Sequence, residues 1–97
     1  RGGENISPGE IEDVLLSHPA VADCAVVAMP DEQWGEGVAA AVVLKPGAAA
    51  VEIAELQELV KAKLRSSRVP QKIVFKDALP YNELGKVLRR VIRQEFV

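Results

Sequence analysis

The sequence predicts an α+β domain in which a small three-stranded central sheet is flanked by helices. Two observations lead to this prediction. Apolar, β-branched runs alternate along the chain with segments of helical periodicity, and Pro, Gly or Ser residues separate one segment from the next. The 97 residues suffice for one modest core, and their 48% hydrophobic and 27% charged content is that of an ordinary globular domain.

The first predicted element is a helix over residues 7–17. Ser7 can cap this helix through its hydroxyl, Pro8 suits the first helical position, and Glu10 and Glu12 favour the first turn. The dipeptide that starts at His18 contains a proline and ends the helix.

Two strands are predicted next. The apolar, β-branched run 21–29 predicts a strand that is buried on at least one face, and the run 38–44 predicts a second strand. The polar segment 30–36 predicts a loop between the two strands, and the Lys-Pro-Gly sequence at 45–47 predicts a turn.

The second half of the chain predicts a helix, a short strand and a final helix. Residues 51–64 are helical in pattern because their apolar side chains recur on one face, at Ile53, Leu56, Val60 and Leu64. A strand is predicted over 71–76 and a last helix over 86–96. Three basic side chains lie outside the apolar face of this last helix and are expected either to form a solvated face or to dock against another domain, namely Arg89, Arg90 and Arg93.

Composition excludes several classes of function. A net charge of −2 argues against a general nucleic-acid-binding protein, which is usually basic. The single cysteine, Cys24, excludes an internal disulfide and fits a reducing compartment such as the cytoplasm, and it is expected to be a small buried residue. No apolar run reaches membrane-spanning length, no signal peptide is evident, and no residues have metal-ligand spacing. His18 has no Cys or Asp partner at catalytic spacing.

The segment with the clearest chemical character is LPYNELGKVLRR, at positions 79–90. It places Lys86 at the tip of a proline-led loop and, by prediction, at the start of the last helix. A helix N-terminus carries partial positive charge, so a lysine there, behind the glycine at Gly85, suits the capture of a carboxylate or phosphate. The alternative is a solvated surface lysine.

Four motifs occur in the order and spacing of one protein family. They are RGGENISPGEIE at 1–12, HPAV at 18–21, MPDEQWGE at 29–36 and PYNELGK at 80–86. Through these motifs, over essentially its whole length, the chain resembles the small C-terminal domain of the acyl-adenylate-forming enzymes. That family comprises the acyl- and aryl-CoA synthetases with their luciferase and peptide-synthetase relatives.

The resemblance implies that residues 1–97 are this AMP-binding C-terminal lid domain, built around a three-stranded sheet. The chain starts without Met and inside a motif, so a fragment is expected, with a large N-terminal adenylation domain and a hinge missing. The whole enzyme would be an ATP-dependent acyl-CoA synthetase that adenylates a fatty or aryl acid and then, after the domain rotates, transfers the acyl group to CoA. The isolated fragment would be inactive. ATP and Mg²⁺ would be bound mainly by the missing domain.

Two alternatives remain open. The chain could be the same subdomain of a peptide synthetase, which loads a carrier protein, or a non-catalytic interaction module that keeps only the fold.

For an acyl-CoA synthetase, the resemblance implies that Lys86 is the catalytic residue. It would reach the active site during adenylation on a loop supported by Pro80 and Gly85. Acetylation of Lys86 would remove the charge that adenylation needs, so a lysine acetyltransferase and a deacetylase are candidate partners.

The resemblance assigns CoA or pantetheine binding to Gly2, Gly3, Glu4, Trp34 and Arg68. The glycines would line the pantetheine tunnel, with a flexible turn as the alternative. Trp34 would contact the nucleotide of CoA or else pack over the sheet. Arg68 departs from the family pattern, because the neighbouring aromatic is missing and the arginine is shifted by one position. A solvated helix end is the alternative there.

Overall fold

The structure is a computed structural model that describes residues 7–31, 35–65 and 69–96. In chain order the elements are α1 (Pro8–Leu16), β1 (Val21–Asp31), β2 (Gly35–Leu44), α2 (Ile53–Leu64), β3 (Lys72–Phe75), α3 (Arg89–Arg93) and a 3₁₀ turn (Gln94–Phe96). In the three-stranded sheet β2 lies in the middle, antiparallel to β1 and parallel to β3. The predicted α+β class, with three strands flanked by helices, is therefore confirmed.

The middle strand β2 is buried on both faces. Ala39, Ala40 and Ala41 have no exposed surface, and the flanking Val38 and Val42 expose at most 5%. Small side chains let the covering layers approach the sheet closely. A strand covered on both sides is expected to be a continuous apolar run rather than an alternating one, and the sequence of β2 has this form.

One face of the sheet packs against α1 and α2. The side chains buried there are Ile11 and Leu15 from α1, Leu56 and Val60 from α2, and Val21, Cys24, Val26, Val38, Ala40, Val42 and Ile73 from the strands. A β-bulge lies between Val21 and Asp23. The extra residue lets Val21 share a face with Cys24 and Val26 although their spacing is odd.

The other face is covered by the C-terminal segment. Leu79, Ile92 and Phe96 pack there against strand residues that include Val27 and Met29. Ile92 has no exposed surface, so packing stabilises the short helix α3, which is too short to be stable by itself. The stretch between Leu79 and α3 is thus attached to the core at both ends, and it carries the lysine motif.

The predicted cap of the first helix is confirmed. Ser7 Oγ accepts from the Glu10 N–H at 3.3 Å, and Glu10 Oε1 accepts from the Ser7 N–H at 2.9 Å. This reciprocal pair is a capping box, which satisfies two N–H groups that have no partner inside the helix. Pro8 occupies the first turn, as expected.

The loop predicted over residues 30–36 is wrong at both ends. The β1–β2 ladder extends into this segment from both sides, pairing Pro30 with Glu36 and Asp31 with Gly35. Proline is tolerated because β1 is an edge strand. The backbone N–H groups of an antiparallel edge strand point alternately towards the neighbouring strand and away from it. The Val26 N–H points away from β2 and donates to Glu12 of α1. Pro30 lies four positions further on, on the same outward side, so the ladder needs no N–H from it.

The helix predicted over residues 86–96 is too long. α3 begins only at Arg89, with Leu88 as its N-cap residue, and it passes into the 3₁₀ turn after Arg93. Tyr81 and Val87 form an isolated antiparallel bridge, which turns the chain before the helix back on itself. The helical spacing of the apolar residues therefore extended the prediction into a loop.

Candidate functional site

Lys86 lies in a closed loop, residues 80–88, called the lysine loop below. The base of this loop is closed by the bridge between Tyr81 and Val87. It is also closed by the Leu88 N–H, which donates to the Pro80 carbonyl at 2.8 Å. Because proline has no backbone N–H, the carbonyl is the only backbone hydrogen-bonding group of Pro80, and the contact with Leu88 satisfies it.

The tip of the lysine loop is organised around Asn82. Its Oδ1 accepts from the N–H groups of Leu84, at 2.8 Å, and of Lys86, at 2.9 Å. Its backbone N–H donates to the Lys86 carbonyl at 2.8 Å, and its carbonyl accepts from the Gly85 N–H at 3.0 Å. Four hydrogen bonds from one residue therefore fix the backbone of the tip.

Gly85 is explained by its backbone conformation. Its φ is +83°, a left-handed value that glycine adopts without steric cost. A Cβ built at Gly85 would meet nothing within 4 Å among the described residues. The turn, rather than a close approach of backbone groups within this chain, is what requires glycine.

The side chain of Lys86 is exposed. In the part of the chain that the structure describes, its ammonium group forms no hydrogen bond or ion pair. Leu84, at the same tip, is 85% exposed, so the tip projects from the body of the domain. An unpaired ammonium on such a loop is available to a carboxylate or phosphate that is brought to it.

Lys86 does not stand at a helix N-terminus, and that prediction is wrong. α3 begins three residues further on and is five residues long. The field of a helix end acts only over its first turn. The positive charge at the tip is therefore that of the Lys86 ammonium itself.

Tyr81 ties the base of the lysine loop to β1. Its hydroxyl donates to Asp23 Oδ2, while Asp23 Oδ1 accepts from the Cys24 N–H at 2.9 Å. The hydrogen bond to Asp23 raises the pKa of Tyr81, because ionisation would remove the donor and place a phenolate beside a carboxylate.

Arg89 connects three elements directly after the lysine loop. Its guanidinium donates to both carboxylate oxygens of Glu12, at 2.5 and 3.2 Å, and to the Val26 carbonyl at 2.8 Å. Glu12 also accepts from the Val26 N–H at 2.8 Å. Both outward-facing backbone groups of this edge-strand residue are thereby satisfied. Arg89 is exposed as predicted, with 46% of its side chain accessible. Its contacts could not be predicted from the sequence, because a partner 77 positions away leaves no local signal.

Two other reactive side chains have structural positions. Cys24 is buried as predicted, and burial, together with nearby carboxylates of which Glu12 contributes most, raises its pKa from 9.0 to about 12. His18 Nδ1 accepts from the Ala20 N–H at 3.0 Å, so the ring proton lies on Nε2, which is 2.7 Å from Glu55 Oε2. His18 thus links the end of α1 to α2.

A groove beside the edge strand β3 is a separate feature. It is lined by Ile53, Gln71, Lys72, Ile73, Val74, Glu95 and Phe96. None of these lining residues belongs to the lysine loop, so the groove and Lys86 are different places on the domain.

The residues predicted to bind CoA are Gly2, Gly3, Glu4, Trp34 and Arg68, and they lie outside the described residues. Their roles stay predictions. Within ranges 7–31, 35–65 and 69–96, no three His, Cys, Asp or Glu side chains come together as ligands for a metal ion. No helix in those ranges is long and apolar enough to cross a membrane.

The chain matches known proteins in sequence. The family model described as the AMP-binding enzyme C-terminal domain matches residues 10–86. A 2-succinylbenzoate–CoA ligase of Bacillus cereus is 50% identical over 93 residues, which are 96% of this chain and 19% of that protein. A medium/long-chain-fatty-acid–CoA ligase of Mycobacterium tuberculosis is 46% identical over 101 residues, covering 98% of this chain and 18% of that protein. The chain spans about a fifth of the length of these curated relatives.

Solved structures share the fold. An amide bond synthetase from Marinactinospora thermotolerans matches with a TM-score of 0.90 at 35% identity, over 97% of this chain and 19% of that one. An acyl-CoA synthetase from Brucella canis matches with a TM-score of 0.85 at 39% identity, over 96% and 18% of the two chains. ATP-bound MatB from Rhodopseudomonas palustris matches with a TM-score of 0.87 at 36% identity, over 98% and 19%. The chain that carries the lysine loop therefore belongs to the AMP-binding enzyme C-terminal domain family, the C-terminal domains of the acyl-adenylate-forming enzymes.

Proposed function

We propose that residues 1–97 act as the C-terminal domain of an ATP-dependent acyl-CoA synthetase, together with a large N-terminal adenylation domain. The observation that carries the proposal is the exposed, unpaired ammonium of Lys86 on a loop with a fixed backbone. Family membership supports it, because the curated relatives named above are CoA ligases. In this scheme the N-terminal domain holds the acid and ATP, and the C-terminal domain supplies a charge.

In the first half-reaction, a carboxylate oxygen attacks the α-phosphorus of ATP and pyrophosphate leaves. Negative charge crowds around that phosphorus in the transition state. An ammonium held against these oxygens stabilises the transition state more than it stabilises the separated reactants. Lys86 supplies this ammonium. The Mg²⁺ that accompanies ATP is held by the nucleotide and the N-terminal domain.

In the second half-reaction, the CoA thiol attacks the acyl carbon of the adenylate, the thioester forms and AMP leaves. Between the two steps the domain rotates about its hinge, which withdraws Lys86 and brings the glycine loop to the pantetheine tunnel. The residues that contact CoA in this scheme are Gly2, Gly3, Glu4, Trp34 and Arg68. The family motifs support the assignment for the first four, whereas Arg68 lies outside those motifs and is the least supported of the set.

The acid is proposed to be a fatty or aryl acid. A medium/long-chain-fatty-acid–CoA ligase and a 2-succinylbenzoate–CoA ligase among the relatives support these two classes. The enzyme is proposed to act in the cytoplasm, where ATP and CoA are both present. Acetylation of Lys86 would switch off adenylation by removing its charge, and the exposure of this side chain makes it accessible to an acetyltransferase.

Pyrophosphate exchange with the full-length protein tests the proposal. The assay follows the return of labelled pyrophosphate into ATP over a panel of fatty and aryl acids. Exchange should depend on one class of acid, and Lys86→Ala should lower it by about 100-fold to 1,000-fold, because a preorganised charge at the reacting phosphate is lost. Thioester formation from preformed acyl-adenylate and CoA should be kept.

The matched control is Lys45→Ala. Lys45 is another exposed lysine, at the turn after β2, and its removal should leave exchange within about twofold. Exchange that survives Lys86→Ala, or that no acid supports, would favour the non-catalytic interaction module instead.

The acceptor of the acyl group has a second candidate. An amide bond synthetase shares this fold with a TM-score of 0.90, so an amine could replace the CoA thiol in the second step. A carrier-protein thiol, as in a peptide synthetase, is a further acceptor of the same type. Measuring AMP release from preformed adenylate with CoA, a simple amine or a phosphopantetheinylated carrier protein separates the three. Of the three acceptors, only CoA should support fast release of AMP.

A further inference from the structure

Asn82 forms hydrogen bonds with both backbone polar groups of Lys86. The Lys86 N–H donates to Asn82 Oδ1 at 2.9 Å, and the Lys86 carbonyl accepts from the Asn82 N–H at 2.8 Å. The same Oδ1 accepts from the Leu84 N–H at 2.8 Å. Since both side-chain contacts come from N–H donors, the accepting atom must be the amide oxygen.

Packing contributes little to the tip of the lysine loop. Leu84 is 85% exposed, and Glu83, Gly85 and Lys86 are exposed as well. No regular helix or strand includes Lys86, because α3 begins at Arg89. The hydrogen bonds of Asn82 are therefore what define the backbone position from which the Lys86 side chain extends.

We infer that Asn82 is the positioning residue for Lys86 in adenylation, an inference that rests on the function proposed above. A lysine side chain has four flexible carbons, so the position of its ammonium already varies. Any displacement of the backbone increases that variation. Electrostatic stabilisation of a transition state requires the charge to be in place before the reaction. Asn82 meets this requirement by linking the backbone of Lys86 across the loop, without touching the substrate.

The chemistry of the side chain selects the informative substitutions. Alanine cannot accept the two N–H groups, so Asn82→Ala releases Leu84 and Lys86 while leaving the backbone hydrogen bonds possible. Aspartate presents an oxygen at the same position and can accept both. Asn82→Asp is thus the conservative variant, and recovery of activity in it identifies the acceptor as the group that matters.

The experiment measures each half-reaction in the full-length protein. Asn82→Ala should lower the turnover of acid-dependent pyrophosphate exchange by about 10-fold to 100-fold, as expected for a misplaced catalytic group. In Asn82→Ala, thioester formation from preformed adenylate should be unchanged. Asn82→Asp should recover at least half of the lost exchange, measured on a logarithmic scale. A merely structural role would lower both half-reactions together, and that result would overturn the inference.

A double substitution tests whether Asn82 acts through Lys86. In the Lys86→Ala background, Asn82→Ala should cause no further loss of exchange, because the group being positioned is already absent. Independent, multiplicative losses would overturn the inference, as would full exchange in Asn82→Ala. Failure of the proposed function is distinguishable, because it appears either as undiminished exchange in Lys86→Ala or as the absence of acid-dependent exchange in the unsubstituted protein.

Discussion

Around β2, the fold is stabilised by side chains with little or no exposed surface, whereas the lysine loop is held by a few hydrogen bonds among exposed groups. The residues on β2 are 0–5% exposed from Val38 to Val42, while Leu84 at the loop tip is 85% exposed. The two regions are joined by Tyr81, which bonds to Asp23, and by Arg89, which bonds to Glu12.

The difference separates two demands on one small domain. The sheet and its helices must exclude water, which depends on volume and apolar area. The lysine loop must present a charge at a defined place, which depends on backbone conformation and on individual hydrogen bonds. Substitutions in the first region should therefore cost stability, and substitutions in the second should cost adenylation with smaller losses of stability.

The largest loss of stability is expected from the core. Leu56→Ala removes a side chain with no exposed surface from α2, and it should lower the free energy of unfolding by about 2–5 kcal/mol through lost burial and a cavity. Urea unfolding followed by circular dichroism measures this change. Ile53→Ala, at a 40% exposed site in the same helix, is the control and should cost about 1 kcal/mol or less. Equal losses at the two sites would contradict the packing described for α2.

A smaller loss is expected where the two regions meet. Arg89→Ala leaves the Val26 carbonyl without its side-chain donor and leaves the Glu12 carboxylate with the Val26 N–H as its remaining donor. This loss should cost about 1–3 kcal/mol in the same unfolding measurement. Arg90→Ala removes the exposed neighbour and should stay within about 0.5 kcal/mol. If both arginines behave alike, Arg89 is a solvated residue, as the sequence pattern alone suggested.

A loss of about 1 kcal/mol is expected at Gly85, where alanine would have to adopt a φ of +83°. The comparison is Gly9→Ala in α1, where the new Cβ would lie 3.8 Å from Ser7 Oγ, an ordinary contact. In a helix alanine is favoured over glycine by up to about 1 kcal/mol, so the two substitutions should change stability in opposite directions. Gly85→Ala should also slow pyrophosphate exchange, whereas Gly9→Ala should not. A stabilising Gly85→Ala would mean that the turn is not left-handed.

The smallest change in stability is expected only at alkaline pH. Burial and nearby carboxylates raise the pKa of Cys24 from 9.0 to about 12, so between these values the unfolded chain releases a proton that the folded chain keeps. Unfolding is thereby favoured, and the stability contributed by the neutral thiol is complete below pH 9 and is lost as the pH rises towards 12. Urea midpoints across this pH range measure the slope, which Cys24→Ala should reduce. An unchanged slope in that variant would assign the decline to other groups, such as Tyr81, whose pKa is also raised.

The comparison also shows where sequence reasoning succeeds. Local rules predicted the cap at Ser7, the turn after β2 and the strand β2 itself, because each depends on neighbours within a few positions. The resemblance to the family was confirmed by the match over residues 10–86. The prediction failed where polar composition concealed strand ends, at Pro30 and Glu36, and where apolar spacing extended a helix into the lysine loop.

By itself, the sequence determined the α+β class, the order of elements, the family and the choice of Lys86 as the candidate catalytic residue, since periodicity, caps and motifs are written along the chain. Only the tertiary structure decided that Lys86 stands in a loop organised by Asn82, and that Arg89 completes the edge of β1 at Val26. The loop closes through a few individual hydrogen bonds, and Arg89 meets Glu12 across 77 positions. Neither the organisation of a loop tip by one side-chain oxygen nor a contact between distant residues has a periodic signature, because both depend on how the finished structure brings the groups together.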